Sequence, residues 1–260
     1  MNATINLENK HFPVLLNELI SIISPLYGGT FIDCTFGQGG YSEKILEFKK
    51  NQIIALDRDK DVLSCSSKLQ KKYNKRFKFY NLKFSQLNQI KLKDHKIKGI
   101  IFDLGYSLNQ IKNSQKGLSF HNKGKLNMKM GINDFSANDI ITHMDEINLA
   151  KVFKILGDEK YSKKIAREIV KKRKNKIIKT EDLVKIIDDV KKYQKTKIHN
   201  STKVFQALRI LVNKEISELI NGLVTSFNLI PVGSIIAVVT FHSIEDKIVK
   251  FFFKHYSEQR

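Results

Sequence analysis

Glycines and carboxylates lie at the ends of apolar segments of this sequence, an arrangement that suits binding of a nucleoside. Residues 31–42, FIDCTFGQGGYS, read as a strand, a tight turn with three glycines and the start of a helix. Glycines let the backbone approach a ligand closely, and the first N–H groups of a helix favour an anionic group. The next apolar segment ends at Asp57, whose carboxylate can accept hydrogen bonds from ribose hydroxyls. Together these two features indicate a ligand that contains a nucleoside.

Two further side chains follow apolar segments that also read as strands. Phe84 lies in a loop after a strand predicted from residue 76 onward, where its ring could border a purine or pack in the core. The pattern favours neither reading. A fourth predicted strand begins near residue 96 and ends at Asp103. Because ligands of parallel α/β sheets bind beyond the carboxyl ends of the strands, we expect the glycine turn, Asp57, Phe84 and Asp103 to converge there.

The elements that must position these residues predict an α/β fold. Strands alternate with helical patterns up to residue 107, which indicates a doubly wound parallel sheet. From about residue 108 the alternation stops. Residues 108–136 are polar and irregular, helical patterns then run to about residue 200, and a further strand is predicted at 233–241. We therefore expect a core made of residues 1–107 and 204–260, with residues 108–203 as an inserted helical subdomain.

Two helices in the second half of the chain are predicted in detail. Residues 202–227 predict one long amphipathic helix, and residues 242–253 predict a helix capped by Ser243. The adjacent His242 and Ser243 do not indicate a hydrolase. Sequence neighbours at a strand end do not supply the geometry of a base and a nucleophile, and no partnered acid is indicated.

The charge of the chain favours a polyanionic partner. Its 260 residues have a formal net charge of +20 and a pI of about 9.7. Basic residues surround a predicted helix at 159–174 and could contact phosphates, although a solvated charged face is the alternative. The candidates are Lys163, Lys164, Arg167, Lys171 and Lys172.

Several classes of protein are disfavoured by composition. Two cysteines are too few for a disulfide framework, which favours a reducing, cytoplasmic setting. The first residues lack the apolar core of a secretory signal, and the longest apolar stretch, around 229–241, is too short to span a bilayer. No Cys/His spacing is typical of a zinc site, so we expect no metal. Nothing in the sequence indicates an oligomeric state.

The glycine turn narrows the kind of nucleoside. A nicotinamide dinucleotide site would have G-x-G-x-x-G, whereas this turn reads G-Q-G-G-Y-S with Ser42 in the third position. S-adenosyl-L-methionine fits better, because it brings only a small carboxylate and no pyrophosphate to the turn. With a basic surface, this cofactor suggests methylation of nucleic acid.

Eight segments, in order over nearly the whole chain, carry a resemblance to a known family. They are HFPVLLNE (11–18), DCTFGQGGYS (33–42), ALDRD (55–59), FDLGYS (102–107), KGLSF (116–120), KKIAREIV (163–170), VFQALRILVNKEI (204–216) and FHSIEDKIVK (241–250). In these segments the chain resembles the cytosine-N4 methyltransferases of small-subunit ribosomal RNA. The resemblance implies a Rossmann-like class I methyltransferase sheet, the cofactor S-adenosyl-L-methionine, and a decoding-centre cytosine in an assembled small subunit as substrate.

The resemblance also implies roles for individual residues. Gly39, Gly40 and Tyr41 would hold the methionine part of the cofactor. Asp57 would take the ribose, Phe84 would border the adenine, and Asp103 with Gln110 would complete the pocket. For the reaction, either Asp103 or the backbone carbonyls of Leu104–Tyr106 stand where a polar group could receive the charge that develops on the attacking amine. Tyr106 could stack on a flipped base or could be a packed aromatic.

Three departures from the family leave alternatives open. Ser107-Leu108-Asn109 replaces Ser-Ser-Pro, and Asn127 and Lys129 replace Asp and Arg of an Asp-Met-Arg-Met segment. The chain also ends at Arg260, where the family continues, so we expect an unpaired sheet edge. One alternative is therefore a relative that binds ribosomal RNA without methylating it. Another is a DNA amino-methyltransferase, although no D/N-P-P-Y/F segment is present near Asp103.

Overall fold

The chain forms two compact units in a computed structural model. The structure describes residues 13–92, 95–107, 110–111, 113–131, 133–173, 178–192 and 198–258. The first unit comprises Met1–Gly105 and Glu218–Arg260, and the second comprises Tyr106–Ser217.

The first unit is built on a parallel sheet. Its strands are β1 Gly29–Asp33, β2 Asn51–Leu56, β3 Phe77–Tyr80, β4 Ile97–Asp103 and β5 Ile235–Val239. All neighbouring strands pair in parallel, in the order β3-β2-β1-β4-β5. The order reverses beside β1, between β2 on one side and β4 on the other. This reversal is the position at which doubly wound sheets bind ligands.

Helices cover both faces of this sheet. Adjacent residues of a strand point to opposite faces, and in the buried strands both of the adjacent residues are apolar, so each face must be covered. Phe31 and Ile32 illustrate the alternation, since they belong to two different apolar clusters. One cluster includes residues of α1 Leu16–Ile23, α2 Gly40–Leu46 and α3 Leu63–Tyr73. The other includes residues of α9 Glu215–Leu229 and α10 Ser243–Ser257. The predicted doubly wound α/β sheet is confirmed.

The second unit is helical and has its own apolar core. Its helices are α4 Ala137–His143, α5 Glu146–Gly157, α6 Ser162–Arg173, α7 Thr180–Lys191 and α8 Thr202–Asn213. Phe153, Ile165, Leu183 and Leu208 are all fully buried in this core. All five helices therefore contribute to this core, and the residues from α4 are Ile140 and Ile141.

The division of the chain differs from the expected one at its second boundary. Residues 204–217 were expected in the sheet domain, whereas the structure places them in the helical unit. The physical reason is close packing of α8 on α5. A Cβ atom on Gly157 would lie 2.3 Å from the carbonyl oxygen of Lys203, so only glycine permits the approach.

Two helix predictions were wrong in detail. The single helix expected at 202–227 is broken at Lys214, which has a left-handed backbone (φ 51°) and separates α8 from α9. The last helix is capped by His242, not by Ser243. The Nδ1 atom of His242 accepts a 3.4 Å hydrogen bond from the backbone N–H of Glu245.

Candidate functional site

The glycine turn after β1 is held in a shape that glycine favours. Gly39 has φ 80°, and its N–H donates to the carbonyl oxygen of Phe36 at 2.7 Å. A Cβ atom on Gly40 would lie 2.3 Å from Cγ of Pro13, so the start of α2 packs closely on the chain before α1. The turn thus presents backbone and no side chains at two consecutive positions.

Tyr41 offers a ligand its backbone and not its phenol. The side chain is buried, and its hydroxyl donates to the carbonyl oxygen of Val14. Burial raises the pKa of Tyr41, and the nearby Asp103 carboxylate adds to the effect. Tyr41 lies in the first turn of α2, where backbone N–H groups have no acceptor within the helix.

Asp57 lies beside the glycine turn, as predicted from sequence. Its Oδ2 accepts a 2.8 Å hydrogen bond from the N–H of Gly37, and its Oδ1 accepts one of 2.8 Å from the N–H of Asp59. Burial raises the pKa of Asp57, while the two N–H donors oppose that shift. Each carboxylate oxygen has two lone pairs, so capacity remains for ribose hydroxyls.

Asp33 is a site residue that was not selected from sequence. It ends β1 in the buried interior, where Oδ2 accepts a 2.7 Å hydrogen bond from the Ser42 hydroxyl and Oδ1 accepts one of 3.2 Å from the Thr35 N–H. Burial raises the pKa of Asp33 to about 6, although these bonds oppose it. Asp33 therefore joins the strand before the glycine turn to the helix after it. The available signal was an acid at the end of an apolar run.

Asp103 provides an acceptor that no described residue uses. Its backbone N–H donates to the Thr35 hydroxyl at 2.7 Å, which fixes the end of β4 beside the end of β1. Its Oδ1 atom is buried and has no hydrogen-bond partner among the described residues. Burial, with a contribution from the Asp33 carboxylate, raises the pKa of Asp103 to about 7. Such an orphaned acceptor is costly unless a donor is supplied, and the amino and hydroxyl groups of S-adenosyl-L-methionine are suitable donors.

Phe84 is half-buried at the start of a short 3₁₀ helix, Phe84–Gln89. Its ring meets Phe102 edge to face, with the centroids 5.4 Å apart. The neighbouring residues are held by α9, because the Ser85 hydroxyl donates to the Glu218 carboxylate at 2.6 Å and the Lys83 ammonium lies 3.4 Å from the same carboxylate. The structure thus combines core packing of Phe84 with partial exposure. Of the predicted residues, the sheet edge assembles the glycine turn, Asp57 and Asp103, and Phe84 follows β3.

Two predicted site residues, Gln110 of the cofactor pocket and the candidate stacking residue Tyr106, belong to the second unit. The Oε1 atom of Gln110 accepts a 2.9 Å hydrogen bond from the N–H of Ser107. Tyr106 is exposed and packs one side of its ring on Arg209. Leu108 and Asn109, which differ from the family sequence, lie outside the described residues.

The second departure from the family, at Asn127 and Lys129, lies in a segment that Asn213 anchors. The buried Asn213 side chain donates to the carbonyl oxygen of Met128 at 2.8 Å and accepts from the N–H of Met130 at 2.9 Å. The carbonyl oxygen of Asn127 accepts from the N–H of Ala137 at 2.9 Å. The backbone here is therefore fixed by bonds that do not depend on the two substituted side chains.

The predicted basic surface lies on α6, but its cations differ in availability. Arg167 is 3.4 Å from Glu146, and Lys172 is 3.3 Å from Asp189. Lys163, Lys164 and Lys171 are exposed and have no ion-pair partner in the described part of the chain. The surface beside them includes a groove of about 460 Å³ lined by Lys164, Arg167, Lys172, Ile186 and Asp189, among others.

The order of the strands defines a Rossmann-like, doubly wound sheet, and the family match given next makes the chain a methyltransferase that uses S-adenosyl-L-methionine. The model of the MraW methylase family matches residues 8–260, and the chain belongs to that family. None of the described helices is both long enough and apolar enough to cross a membrane.

Curated relatives agree with this assignment. The chain is 42% identical over 251 residues to "Ribosomal RNA small subunit methyltransferase H" of Rickettsia massiliae, covering 96% of this chain and 81% of the relative. It is 40% identical over 246 residues to the protein of the same name from Bartonella tribocorum, covering 94% of this chain and 73% of the relative. Among solved structures, one described as "a putative methyltransferase from streptococcus mutans in complex with SAH" matches with 20% identity and a TM-score of 0.29, over 35% of this chain and 53% of that one.

Proposed function

We propose that this protein transfers a methyl group from S-adenosyl-L-methionine to N4 of a decoding-centre cytosine in small-subunit ribosomal RNA. The observation that carries the proposal is the buried Oδ1 of Asp103, which has no partner among the described residues, at the sheet edge that also holds the glycine turn and Asp57. The names of the curated relatives supply the class of substrate. The family resemblance of the sequence supplies the nitrogen that is methylated.

The cofactor site follows from the residues at the sheet edge. Gly39, Gly40 and the backbone of Tyr41 would hold the methionine part, and Asp57 would accept from the ribose hydroxyls. Phe84 would border the adenine, and Asp103 would complete the part of the pocket that the first unit provides. When bound, S-adenosyl-L-methionine supplies a methyl group on a positively charged sulfur, ready for attack by a nitrogen lone pair.

The protein contributes positioning and electrostatics to this reaction. The N4 lone pair of cytosine is delocalised into the ring, so the amine must be held in line and its developing positive charge must be stabilised. The Asp103 carboxylate can accept a hydrogen bond from that amine. The surplus proton can leave to water after transfer, so the site needs no dedicated base.

The second unit would bind the RNA. Lys163, Lys164 and Lys171 are the exposed cations of α6 best able to neutralise phosphates, because Arg167 and Lys172 already have carboxylate partners. We expect recognition of an assembled small subunit in the cytoplasm, where the decoding centre has its folded shape. The sheet unit would hold the cofactor, and the helical unit would select the substrate.

A binding protein that does not methylate is the second candidate, and the substitution at Lys129 favours it. Lysine cannot reproduce the planar, bidentate hydrogen bonding of the arginine that the family has there. The glycine turn, Asp57 and Asp103 favour the enzyme, since a protein that only binds RNA has no need of an orphaned carboxyl beside a glycine turn.

Mass spectrometry of small-subunit RNA from cells with and without the gene distinguishes the two functions. The enzyme predicts N4-methylcytosine at one position only when the gene is present. Complementation with Asp103→Asn, after its folding is verified by circular dichroism, should leave that position unmethylated. An unmodified cytosine in both strains, together with binding of the protein to small subunits, would establish the second candidate.

A further inference from the structure

The Arg209 guanidinium is clamped in one plane by a carboxylate. Its Nε and Nη2 atoms each donate a 2.9 Å hydrogen bond to the two oxygens of Glu215. The clamp forms because Lys214, with its left-handed backbone, ends α8 and brings the first residue of α9 back towards Arg209. A bidentate pair of this kind fixes orientation as well as position.

Tyr106 lies on this clamped guanidinium. The Arg209 Cζ atom is 4.6 Å from the centroid of the Tyr106 ring, within the range of a cation–π contact. Arg209 is only 8% exposed, so the contact is shielded from water. All three residues, Tyr106, Arg209 and Glu215, belong to the second unit.

The ring of Tyr106 is nevertheless 42% exposed. An aromatic residue that served only to fill the core would be buried on both faces. Here one face is supported by a charged group that is itself held rigidly, and much of the remaining ring surface is open to solvent. A flat ring that is supported on one side and open on the other is the structure that proteins use to stack on unpaired bases.

We propose that Tyr106 is the stacking surface for the unpaired cytosine, and that Arg209 and Glu215 are positioning residues that hold its ring. This inference rests on the proposed function, because it assigns the reacting base to a residue three positions after Asp103 in the chain. The clamp removes side-chain freedom from Tyr106 before the base arrives, so less conformational entropy is lost on binding.

The absence of tryptophan from the sequence permits a direct binding test. In Tyr106→Trp the new indole is the only tryptophan in the protein. We expect its fluorescence to be quenched by a single-stranded RNA oligonucleotide that carries the target cytosine, and to be affected much less by the same oligonucleotide with an abasic site at that position. A matched control, Tyr27→Trp, places an indole on an exposed residue of the first unit and should report no difference between the two oligonucleotides. Equal signals from both oligonucleotides with Tyr106→Trp would overturn the stacking role.

Steady-state kinetics on unmethylated small subunits tests the clamp. Loss of stacking in Tyr106→Ala should raise KM about tenfold or more, with Tyr106→Phe close to wild type and the Kd for S-adenosyl-L-methionine unchanged. In the protein that keeps Tyr106, Arg209→Lys and Glu215→Gln should each raise KM several-fold. In the Tyr106→Ala background the same substitutions should raise KM no further, because the ring that they position is gone.

The melting temperature of each variant shows whether a raised KM reflects lost stacking or a loss of folded protein. If Arg209→Lys lowers Tm strongly, Glu215→Gln, which keeps one acceptor for the guanidinium, provides the same comparison. An unchanged KM in Tyr106→Ala, with methylation intact, would refute the inference and leave the proposed function standing. A wild-type protein that binds S-adenosyl-L-methionine and small subunits without methylating them would refute the proposed function itself.

Discussion

The Asp57 carboxylate accepts a 2.8 Å hydrogen bond from the backbone N–H of Gly37. Asp57, which follows β2, is thereby joined to the turn after β1. The residue that we propose to bind the ribose therefore also shapes the loop that we propose to bind the methionine part of the cofactor. A change at Asp57 is consequently expected to affect both halves of the cofactor site.

Asp57→Ala should weaken binding of S-adenosyl-L-methionine. It removes the acceptor for Gly37 and leaves the ribose hydroxyls without a charged partner, which should cost about 1.5–3 kcal/mol of cofactor binding in total, the range for a hydrogen bond to a charged group. The expected increase in Kd, measured by isothermal titration calorimetry, is about 10- to 150-fold. Glu47→Ala, which removes an exposed carboxylate paired with Lys44, is the control and should leave Kd unchanged. An unaltered Kd in Asp57→Ala would show that the ribose lies elsewhere.

Gly222→Ala should disturb the cofactor site through Phe84. A Cβ atom at position 222 would lie 2.6 Å from Cδ2 of Phe84, so the ring must shift. We expect a several-fold increase in the Kd for S-adenosyl-L-methionine, because Phe84 is the proposed neighbour of the adenine.

A double-mutant cycle isolates this contact from other effects of the alanine. In the Phe84→Ala background, Gly222→Ala should leave Kd unchanged, because the ring that the added Cβ atom would displace is no longer there. A loss of affinity that persists without the Phe84 ring would mean that the helix acts on the site by another route.

Binding of S-adenosyl-L-methionine should strengthen as the pH rises towards 7. Burial raises the pKa of Asp103 to about 7, so below that pH the free protein holds the carboxyl protonated. The cofactor is positively charged at its sulfur and its amino group, and a cation favours the ionised carboxylate. Binding should therefore lower the pKa, release protons between about pH 5 and 7, and become independent of pH above it.

Calorimetry in buffers of different ionisation enthalpy measures that proton release. Asp103→Asn, which has a similar shape and does not titrate, should reduce the release and flatten the dependence of Kd on pH. Asp33, whose pKa burial raises to about 6, remains in this variant as a second titrating group. Proton release equal to that of wild type would assign the effect to Asp33 and exclude Asp103 as the coupled carboxyl.

The strands and the residues at their ends were predictable from sequence, while the bonds between them were not. Asp57 and Asp103 end apolar segments, and parallel pairing brings such ends together in any doubly wound sheet. The hydrogen bond between Asp57 and Gly37 depends on the geometry of the turn, which residue types and their spacing in the sequence do not specify. The break at Lys214 was missed for a related reason. The apolar pattern continues through it, and only tertiary packing distinguishes one long helix from two.

Basic residues on α6 should differ in their effect on RNA binding according to whether they are already paired. Replacing Lys163, Lys164 and Lys171 together by Glu removes cations that have no ion-pair partner in the described residues, so affinity for small subunits should fall and its dependence on salt should weaken. The magnitude of the slope of log K against log salt should decrease by about 0.7–0.9 for each phosphate that is no longer neutralised.

Lys172→Glu alone should have a smaller effect, because Lys172 already lies 3.3 Å from Asp189. Filter binding over a salt series gives both slopes, with Lys254→Glu on α10 as a control that matches the charge change of Lys172→Glu. Identical slopes for the triple variant and wild type would mean that the face is solvated and that the RNA is bound elsewhere.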